Sequence, residues 1–257
     1  MTLIATFNVN SIKARLTNVV DWLRASAPDI ALFQETKCVR EEFPYLEIEA
    51  LGYRVAHVGQ RTYNGVAILA KGAVEVELEA LPGDGADDAA RYIEGRVDGL
   101  RIASIYVPNG QSVGSDKFAY KMGFLERLER RVKELLDREE PFVLGGDYNI
   151  APFDIDVHDP AAWRGQIMVS PEERRWLRRM LNLGLVDSWR LLNPDGHEFS
   201  WWDYRAGAWE RDMGLRIDHL LLSPQAADRL AEAGIDRDPR GKAKASDHTP
   251  VWCKLEN

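Results

Sequence analysis

Phe142-Val143-Leu144-Gly145-Gly146-Asp147-Tyr148-Asn149 is the stretch from which the fold is read. Phe142–Leu144 has the apolar, β-branched character of a short buried strand. Two glycines then deliver the chain into an acid, a tyrosine and an amide. The same arrangement recurs. Leu3–Val9 closes on Asn8-Val9-Asn10, Ile30–Phe33 on Gln34-Glu35-Thr36-Lys37, and Arg101–Val107 on Tyr106-Val107-Pro108-Asn109-Gly110. Strands near Ile217–Leu222 and Val251–Leu255 carry Arg216-Ile217-Asp218-His219 and Ser246-Asp247-His248-Thr249-Pro250 beside them. Apolar strands that end in polar clusters put reactive groups on loops held by a rigid scaffold.

Between these strands lie helical patterns. Ser11 reads as a cap, with Ile12, Leu16, Val19, Val20 and Leu23 on one face of a helix. Lys117–Arg138 is a long amphipathic helix. Ser170-Pro171-Glu172-Glu173 opens another with a capping box, running to about Leu183 and stopping at Gly184. Tyr53–Val58, Val66–Ala70, Val74–Leu78 and Tyr92–Val97 read as further strands. Asp98-Gly99 is a hairpin turn into Arg101–Val107, and the last third adds a strand at Phe199–Trp201. With no linker or repeat, residues 1–257 are expected to form one domain of layered α/β or α+β type, mixed sheets covered by helices. The strand order is not readable from this pattern.

The balance of 33 basic and 41 acidic residues leaves a net charge of −8, which excludes a simple cationic coat for nucleic acid or membrane. A local basic rim around an acidic metal centre is still compatible with it. Cys38 and Cys253 form no disulfide framework or zinc ribbon. No apolar run reaches the ~18 residues a bilayer span needs, and the start of the chain has no secretory pattern. A cytoplasmic protein is therefore expected.

Taken singly, each polar residue at a strand end also reads as a turn, a cap or a solvated acid. Together they are parts of one chemistry. Glu35 and Asp247 are hard oxygen ligands suited to Mg²⁺, or to Mn²⁺. Asp147 can take a proton from an attacking water. Asn8 and Asn149 can fix a bound water or that carboxylate. His248 can donate to a phosphoryl oxygen, with Asp218 setting its tautomer or charge. Tyr106 and Asn109 can donate to phosphate. No Ser-His or Cys-His pair stands out. The set favours metal-assisted attack of water on a phosphoester.

These motifs, from Ile4-Ala5-Thr6-Phe7-Asn8-Val9-Asn10-Ser11-Ile12 to Ser246-Asp247-His248-Thr249-Pro250-Val251-Trp252, resemble the exonuclease III family of AP endonucleases within the endonuclease/exonuclease/phosphatase superfamily. Phe199-Ser200-Trp201-Trp202-Asp203-Tyr204-Arg205 and Gly214-Leu215-Arg216-Ile217-Asp218 narrow it to that branch. The resemblance implies a DNase I-like four-layer α/β sandwich, two sheets face to face with helices outside. It implies Glu35 as principal metal ligand, with Asn8 and Asp247 assisting, Asp247 through water or by pairing with His248. Asp147 with Asn149 would activate the water. His248, supported by Asp218, would contact the scissile phosphate, which Tyr106 and Asn109 would hold. Trp201, Leu215 and Ile217 match the apolar wall of a pocket for a flipped-out, base-less sugar, with Trp202 in the core. Arg205 matches a side chain inserted into DNA. Lys37, Arg61, Arg91, Lys117, Lys121, Arg205, Lys242 and Lys244 lie mostly in loops flanking the site motifs and are the cations expected on phosphates to either side, Lys37 and Lys121 foremost.

The implied activity is Mg²⁺-dependent incision of duplex DNA 5′ to abasic sites, with 3′-5′ exonuclease and 3′-phosphatase action on blocked ends, by a monomer. The rival readings are an RNase or small-molecule phosphatase of the same chemistry, and a non-catalytic nucleic-acid-binding regulator on this fold. Degenerate regulators lose site residues, whereas Glu35, Tyr106, Asp147, Asn149, Asp218, Asp247 and His248 are all present.

Overall fold

The computed structural model describes residues 1–256. Its strands are β1 (Thr2–Asn8), β2 (Ile30–Gln34), β3 (Arg54–Val58), β4 (Val66–Ala70), β5 (Val74–Leu78), β6 (Tyr92–Val97), β7 (Leu100–Tyr106), β8 (Phe142–Asp147), β9 (Val186–Asp187), β10 (Trp201–Trp202), β11 (Gly214–Leu215), β12 (Asp218–Leu222), β13 (Leu230–Ile235) and β14 (Val251–Leu255). Two six-stranded sheets, ordered β13-β14-β1-β2-β4-β3 and β5-β6-β7-β8-β12-β9, accompany a two-stranded ribbon, β10-β11. Each large sheet is antiparallel except at its centre, where β1 runs parallel to β2 and β7 parallel to β8.

Both parallel pairs are helix crossovers, as a parallel connection requires. The helix α1 (Leu16–Ser26) joins β1 to β2, and α2 (Asp116–Leu136) joins β7 to β8. Three apolar clusters define the layers. One is built from Ile4, Leu32, Ile68, Ile102, Val143 and Leu220 of both sheets and lies between them. A second packs Val19, Trp22 and Leu23 of α1 on the outer face of the first sheet. The third packs Leu125, Leu128 and Val132 of α2, with Trp176 and Leu177 of α3 (Pro171–Asn182), on the outer face of the second. The result is the expected helix–sheet–sheet–helix sandwich.

The sheets approach closely at Gly145 of β8, where an added Cβ would meet Leu32 Cδ1 of the facing sheet at 2.4 Å and Leu220 Cδ2 of the neighbouring strand β12 at 2.6 Å. A polar link crosses the same interface: Gln34 Nε2 donates to Ser104 Oγ at 3.0 Å, and Ser104 Oγ to the Phe33 carbonyl at 2.9 Å. This close seam brings the carboxyl ends of β1, β2, β7 and β8 to one rim.

Two local expectations are corrected. Ser11 does not cap α1. It sits at φ 83°, and its N–H donates to the Glu35 carbonyl at 2.7 Å, so the chain first docks on the β2 turn and the helix begins only at Leu16. The strand expected at Phe199–Trp201 is the two-residue β10 at Trp201–Trp202; Ser200, just before it, keeps backbone hydrogen bonds to Leu215 and Thr249 and turns its hydroxyl to Asp218.

Candidate active site

At the common rim the polar clusters meet. Asn8 ends β1, and its Nδ2 donates to Glu35 Oε1 at 2.8 Å and Asp147 Oδ2 at 3.0 Å, joining the two sheets' acids. Asp147 ends β8. Its Oδ1 accepts from the Asn149 N–H at 2.9 Å and its Oδ2 from Asn149 Nδ2 at 3.1 Å. Asn149 Oδ1 in turn accepts from Asn109 Nδ2 at 3.0 Å, which binds the loop after β7 to the loop after β8. Asp218 lies opposite Asp147 in the β12–β8 register.

His248 completes the arrangement. Its Nδ1 lies 2.9 Å from Asp218 Oδ2, while Nε2 faces Asp147 Oδ2 at 3.7 Å. Ser200 Oγ donates to the same Asp218 oxygen at 2.6 Å. Ser200 has no role assigned from sequence; it lies inside the Phe199–Arg205 motif, but nothing in its spacing points to Asp218. Asn10 acts as a bridge: its Nδ2 donates to Asp247 Oδ1 at 2.8 Å and its Oδ1 accepts from Lys37 Nζ at 2.5 Å.

Several of these turns are strained. Asn10, Ser11, Glu35, Lys37 and Asn149 all have positive φ, between 44° and 83°. Non-glycine residues hold that conformation only where their surroundings over-determine it, as functional sites do. Thr36, between Glu35 and Lys37, is pinned by its hydroxyl to His57 Nε2 at 2.8 Å.

The electrostatics separate the titrating groups. Burial pushes Asp147 up to about 7; the Asp218 and Glu35 carboxylates add to this, and His248 opposes it. Burial alone would lower His248, but the Asp218 and Asp147 carboxylates outweigh it and raise it to about 10. Burial, with Glu35 and Asp147 nearby, holds the Tyr106 phenol well above its ordinary range. A buried acid poised near neutrality thus faces an imidazolium.

Glu35, Asp147 and His248 present ligand atoms within 4.8 Å of one another. A histidine held protonated by Asp218 has no free lone pair for a cation. The donors suited to a metal are therefore the Glu35 and Asp147 carboxylates; the Asn8 group between them is Nδ2, which donates to both acids and offers no lone pair to a cation, while Asn8 Oδ1 accepts from the Asn10 N–H at 3.0 Å. That small set of hard oxygens fits a divalent cation that keeps several waters. Asp247 stands beside this pair and not within it. Its Oδ1 accepts from Asn10 and its Oδ2 from Trp201 Nε1 at 3.0 Å, and the alternative of a pair with His248 is not formed.

The expected substrate contacts divide. Glu35, Arg91, Tyr106, Asn109 and Lys117 line one groove of about 730 Å³. Arg91 lies over the Tyr106 ring at 4.6 Å and fixes it. Arg205 is exposed, forked onto Asp203. Lys121 is a correction: it is fully buried and paired with the equally buried Glu173, so no phosphate reaches it. Its Nζ donates to the carbonyls of Asn109 at 3.1 Å and Asn149 at 2.8 Å. The helical period places Lys121 on the inner side of α2, a signal that its charge obscured. Lys37 is also committed inward, with Nζ 2.8 Å from Glu35 Oε2. Leu215 and Ile217 are buried in one apolar cluster with Trp201, so of these three the half-buried Trp201 alone offers apolar surface; Trp202 is in the core as expected.

A double-sheet sandwich whose rim gathers an amide-held acid, a carboxylate–imidazolium pair and a hard-oxygen metal set defines a phosphoesterase centre. The comparisons agree. Residues 5–248 match the Endonuclease/Exonuclease/phosphatase family, and the chain belongs to it. Exodeoxyribonuclease III of Haemophilus influenzae is 36% identical over 97% of this chain and 98% of its own. The solved AP endonuclease from Archaeoglobus fulgidus superposes with a TM-score of 0.95 at 36% identity, covering 100% of both chains. The 3′ phosphatase NExo from Neisseria, solved bound to a product DNA hairpin, gives 0.94 at 38% identity, again over 100% of both. The chain is thus an enzyme, a phosphodiester hydrolase of the exonuclease III type.

Proposed function

We propose that this chain is a divalent-metal-dependent DNA repair nuclease that hydrolyses the phosphodiester 5′ to an abasic site in duplex DNA, leaving a 3′-hydroxyl and a 5′-deoxyribose phosphate. The observation that carries this reading is the buried Asp147 carboxylate, held by Asn8 and Asn149 and facing the Asp218–His248 pair beside Glu35. Asp147 orients a water and takes its proton as the oxygen attacks phosphorus in line, while the opposite bond from phosphorus to the 3′ oxygen breaks and that oxygen takes a proton from solvent to leave as the 3′-hydroxyl. His248, kept charged by Asp218, donates to a phosphoryl oxygen as its charge grows. Tyr106 and Asn109 hold that phosphate from the groove side. A Mg²⁺ or Mn²⁺ ion held by Glu35 and Asp147, with Asn8 beside them, would polarise the phosphoryl group. Trp201 covers the sugar, Arg205 reaches the duplex, and Arg91 meets a flanking phosphate. In this reading residues 1–257 act as one domain, as a monomer, in the cytoplasm.

The test is a duplex oligonucleotide with one tetrahydrofuran abasic analogue, which resists β-elimination, assayed with Mg²⁺ and with EDTA. The expected result is metal-dependent cutting on the 5′ side of the analogue. A folded protein that leaves it intact would not be an abasic endonuclease.

A second reading, removal of 3′ phosphates and 3′-terminal nucleotides by the same centre, is favoured by one observation. With Leu215 and Ile217 buried, Trp201 is the one residue of the expected apolar wall that keeps accessible surface. A 3′-phosphorylated duplex in the same assay measures it.

A further inference from the structure

A second opening lies on the other side of the site, beyond Tyr204 from Asn10. It is a pocket of about 390 Å³ lined by Arg15, Tyr204, Arg240, Lys242 and Lys244 with two alanines. Four of its side chains are cations and none is an acid. Among the described residues, none of the four is in an ion pair.

Arg240 is the informative member. It is only 8% exposed, and its Nε is buried without a hydrogen-bond partner. Its guanidinium donates to the Trp202 carbonyl at 3.2 Å and lies over the rings of Tyr204 and Trp209 at 5.4 and 5.3 Å. Arg15 repeats the pattern: Nη2 donates to Tyr204 Oη at 3.1 Å, while its buried Nε has no partner. Arginine does not shed its proton to escape such a place. A buried guanidinium with no counter-charge is costly, and ring stacking offsets that cost only in part. Among the described residues the other buried arginines, Arg101, Arg127, Arg131 and Arg216, sit on carboxylates. The gathering of Arg15, Arg240, Lys242 and Lys244 around one recess therefore calls for an anion from outside.

The location names its class. Tyr204 Oη lies 3.3 Å from Asn10 Nδ2, Asn10 Oδ1 accepts from Lys37 Nζ, and Lys37 Nζ meets Glu35. A nucleic-acid strand reacting at Glu35 carries its neighbouring phosphates past both sides of the centre, one side being the Arg91 groove. We propose that the Arg15–Arg240–Lys242–Lys244 pocket is a phosphate-binding subsite for the strand flanking the reacting phosphodiester. This rests on the proposed function only in that the ligand belongs to a nucleic acid. The phosphate is either internal to the strand or at its 5′ end.

The experiment uses the full chain in EDTA, so that binding is read without hydrolysis. Affinity for the tetrahydrofuran duplex is followed by fluorescence anisotropy across a salt series. Lys242→Gln with Lys244→Gln removes two exposed cations and spares the buried ring stack. Arg175→Gln with Arg178→Gln removes the same charge from the exposed face of α3. The first pair is expected to bind roughly tenfold more weakly and to lose about one unit of the log–log salt slope, since each phosphate contact contributes about 0.9. The second pair should match the parent. Arg15→Gln should act like the first pair, with KM raised and kcat held when Mg²⁺ is present.

Duplexes ending at the flank with a 5′-phosphate or a 5′-hydroxyl separate the sources. A deficit on both marks an internal phosphate; a deficit only on the phosphorylated end marks a terminal one. Equal affinity and slope for the Lys242/Lys244 variant and the parent on every duplex overturns the subsite. A parent that binds but never incises, with the variant deficit intact, overturns the incision reading and leaves the subsite standing.

Discussion

Asp147 and His248 have opposite tasks, and their surroundings move them in directions that suit both. The base must be ionised, so activity is lost as pH falls through the Asp147 value of about 7. The acid must be charged, so activity is lost as pH rises through the His248 value of about 10. The kcat/KM profile is therefore expected to be a bell. A cation at Glu35 and Asp147 favours the carboxylate, so the acid limb should slide to lower pH as Mg²⁺ is raised. A limb that ignores Mg²⁺ would take Asp147 out of this role. Asp147→Asn should cost about 10²–10⁴ in kcat with DNA affinity kept. Asp218→Asn keeps a partner for Nδ1 but removes the charge, and should move the alkaline limb from about 10 toward the ordinary histidine value. An unmoved alkaline limb would mean that another group donates to the phosphate. These assignments were open to sequence reasoning because each residue type is tied to a chemical task. Ser200, which donates to Asp218, and Asn10, which links Lys37 to Asp247, were not, since a hydroxyl or amide shows its partner only in three dimensions.

At the level of elements, the Asn109 and Asn149 loops depend on one buried charge. Lys121 on α2 donates to both loop carbonyls and to Glu173, whose carboxylate also accepts from the Met168 and Ser170 N–H groups at 3.0 Å. Burial lowers Lys121, while Glu173 acts to restore its charge. Lys121→Met strands the Glu173 carboxylate and should destabilise the fold by about 3–5 kcal/mol. Lys121→Met with Glu173→Gln should recover much of that stability, read by urea unfolding. The double variant should still be slow in kcat, because neither loop regains its anchor. Full recovery of kcat would make the pair purely structural. Most of the strands and long helices around this hub were legible from period and capping: α2, α3 and the Asp98-Gly99 hairpin stand where the pattern puts them, and both turn residues have positive φ. The edge strand β13 was not. Leu230-Ala231-Glu232-Ala233-Gly234-Ile235 has little β-propensity and no buried face, and it pairs because Gly234 admits the Trp252 ring, which an added Cβ would meet at 2.5 Å. Sheet order was equally hidden, since it follows from contacts between residues far apart in the chain.

On the scale of the whole molecule, a net charge of −8 coexists with an acidic centre that Lys37 and His248 flank directly. Glu35, Asp147 and Asp218 repel one another, and a divalent cation relieves that repulsion in the folded chain alone. Binding to the folded state raises stability by mass action, about 2.7 kcal/mol at a hundredfold excess over Kd. The thermal midpoint should therefore climb with Mg²⁺ and fall back with EDTA. The same experiment separates the acids. Glu35→Gln removes a donor and one of the repelling charges, so its midpoint should lie at or above that of the metal-free parent and respond little to Mg²⁺. Asp247→Asn should retain most of the Mg²⁺ response, because Asp247 lies outside the cluster of ligand atoms that Glu35, Asp147 and His248 form. Loss of the response in Asp247→Asn with its survival in Glu35→Gln would exchange their roles and move the metal toward Trp201. High monovalent salt should not reproduce the effect, because screening weakens the surface field but does not fill a site whose Asp147 oxygens are buried.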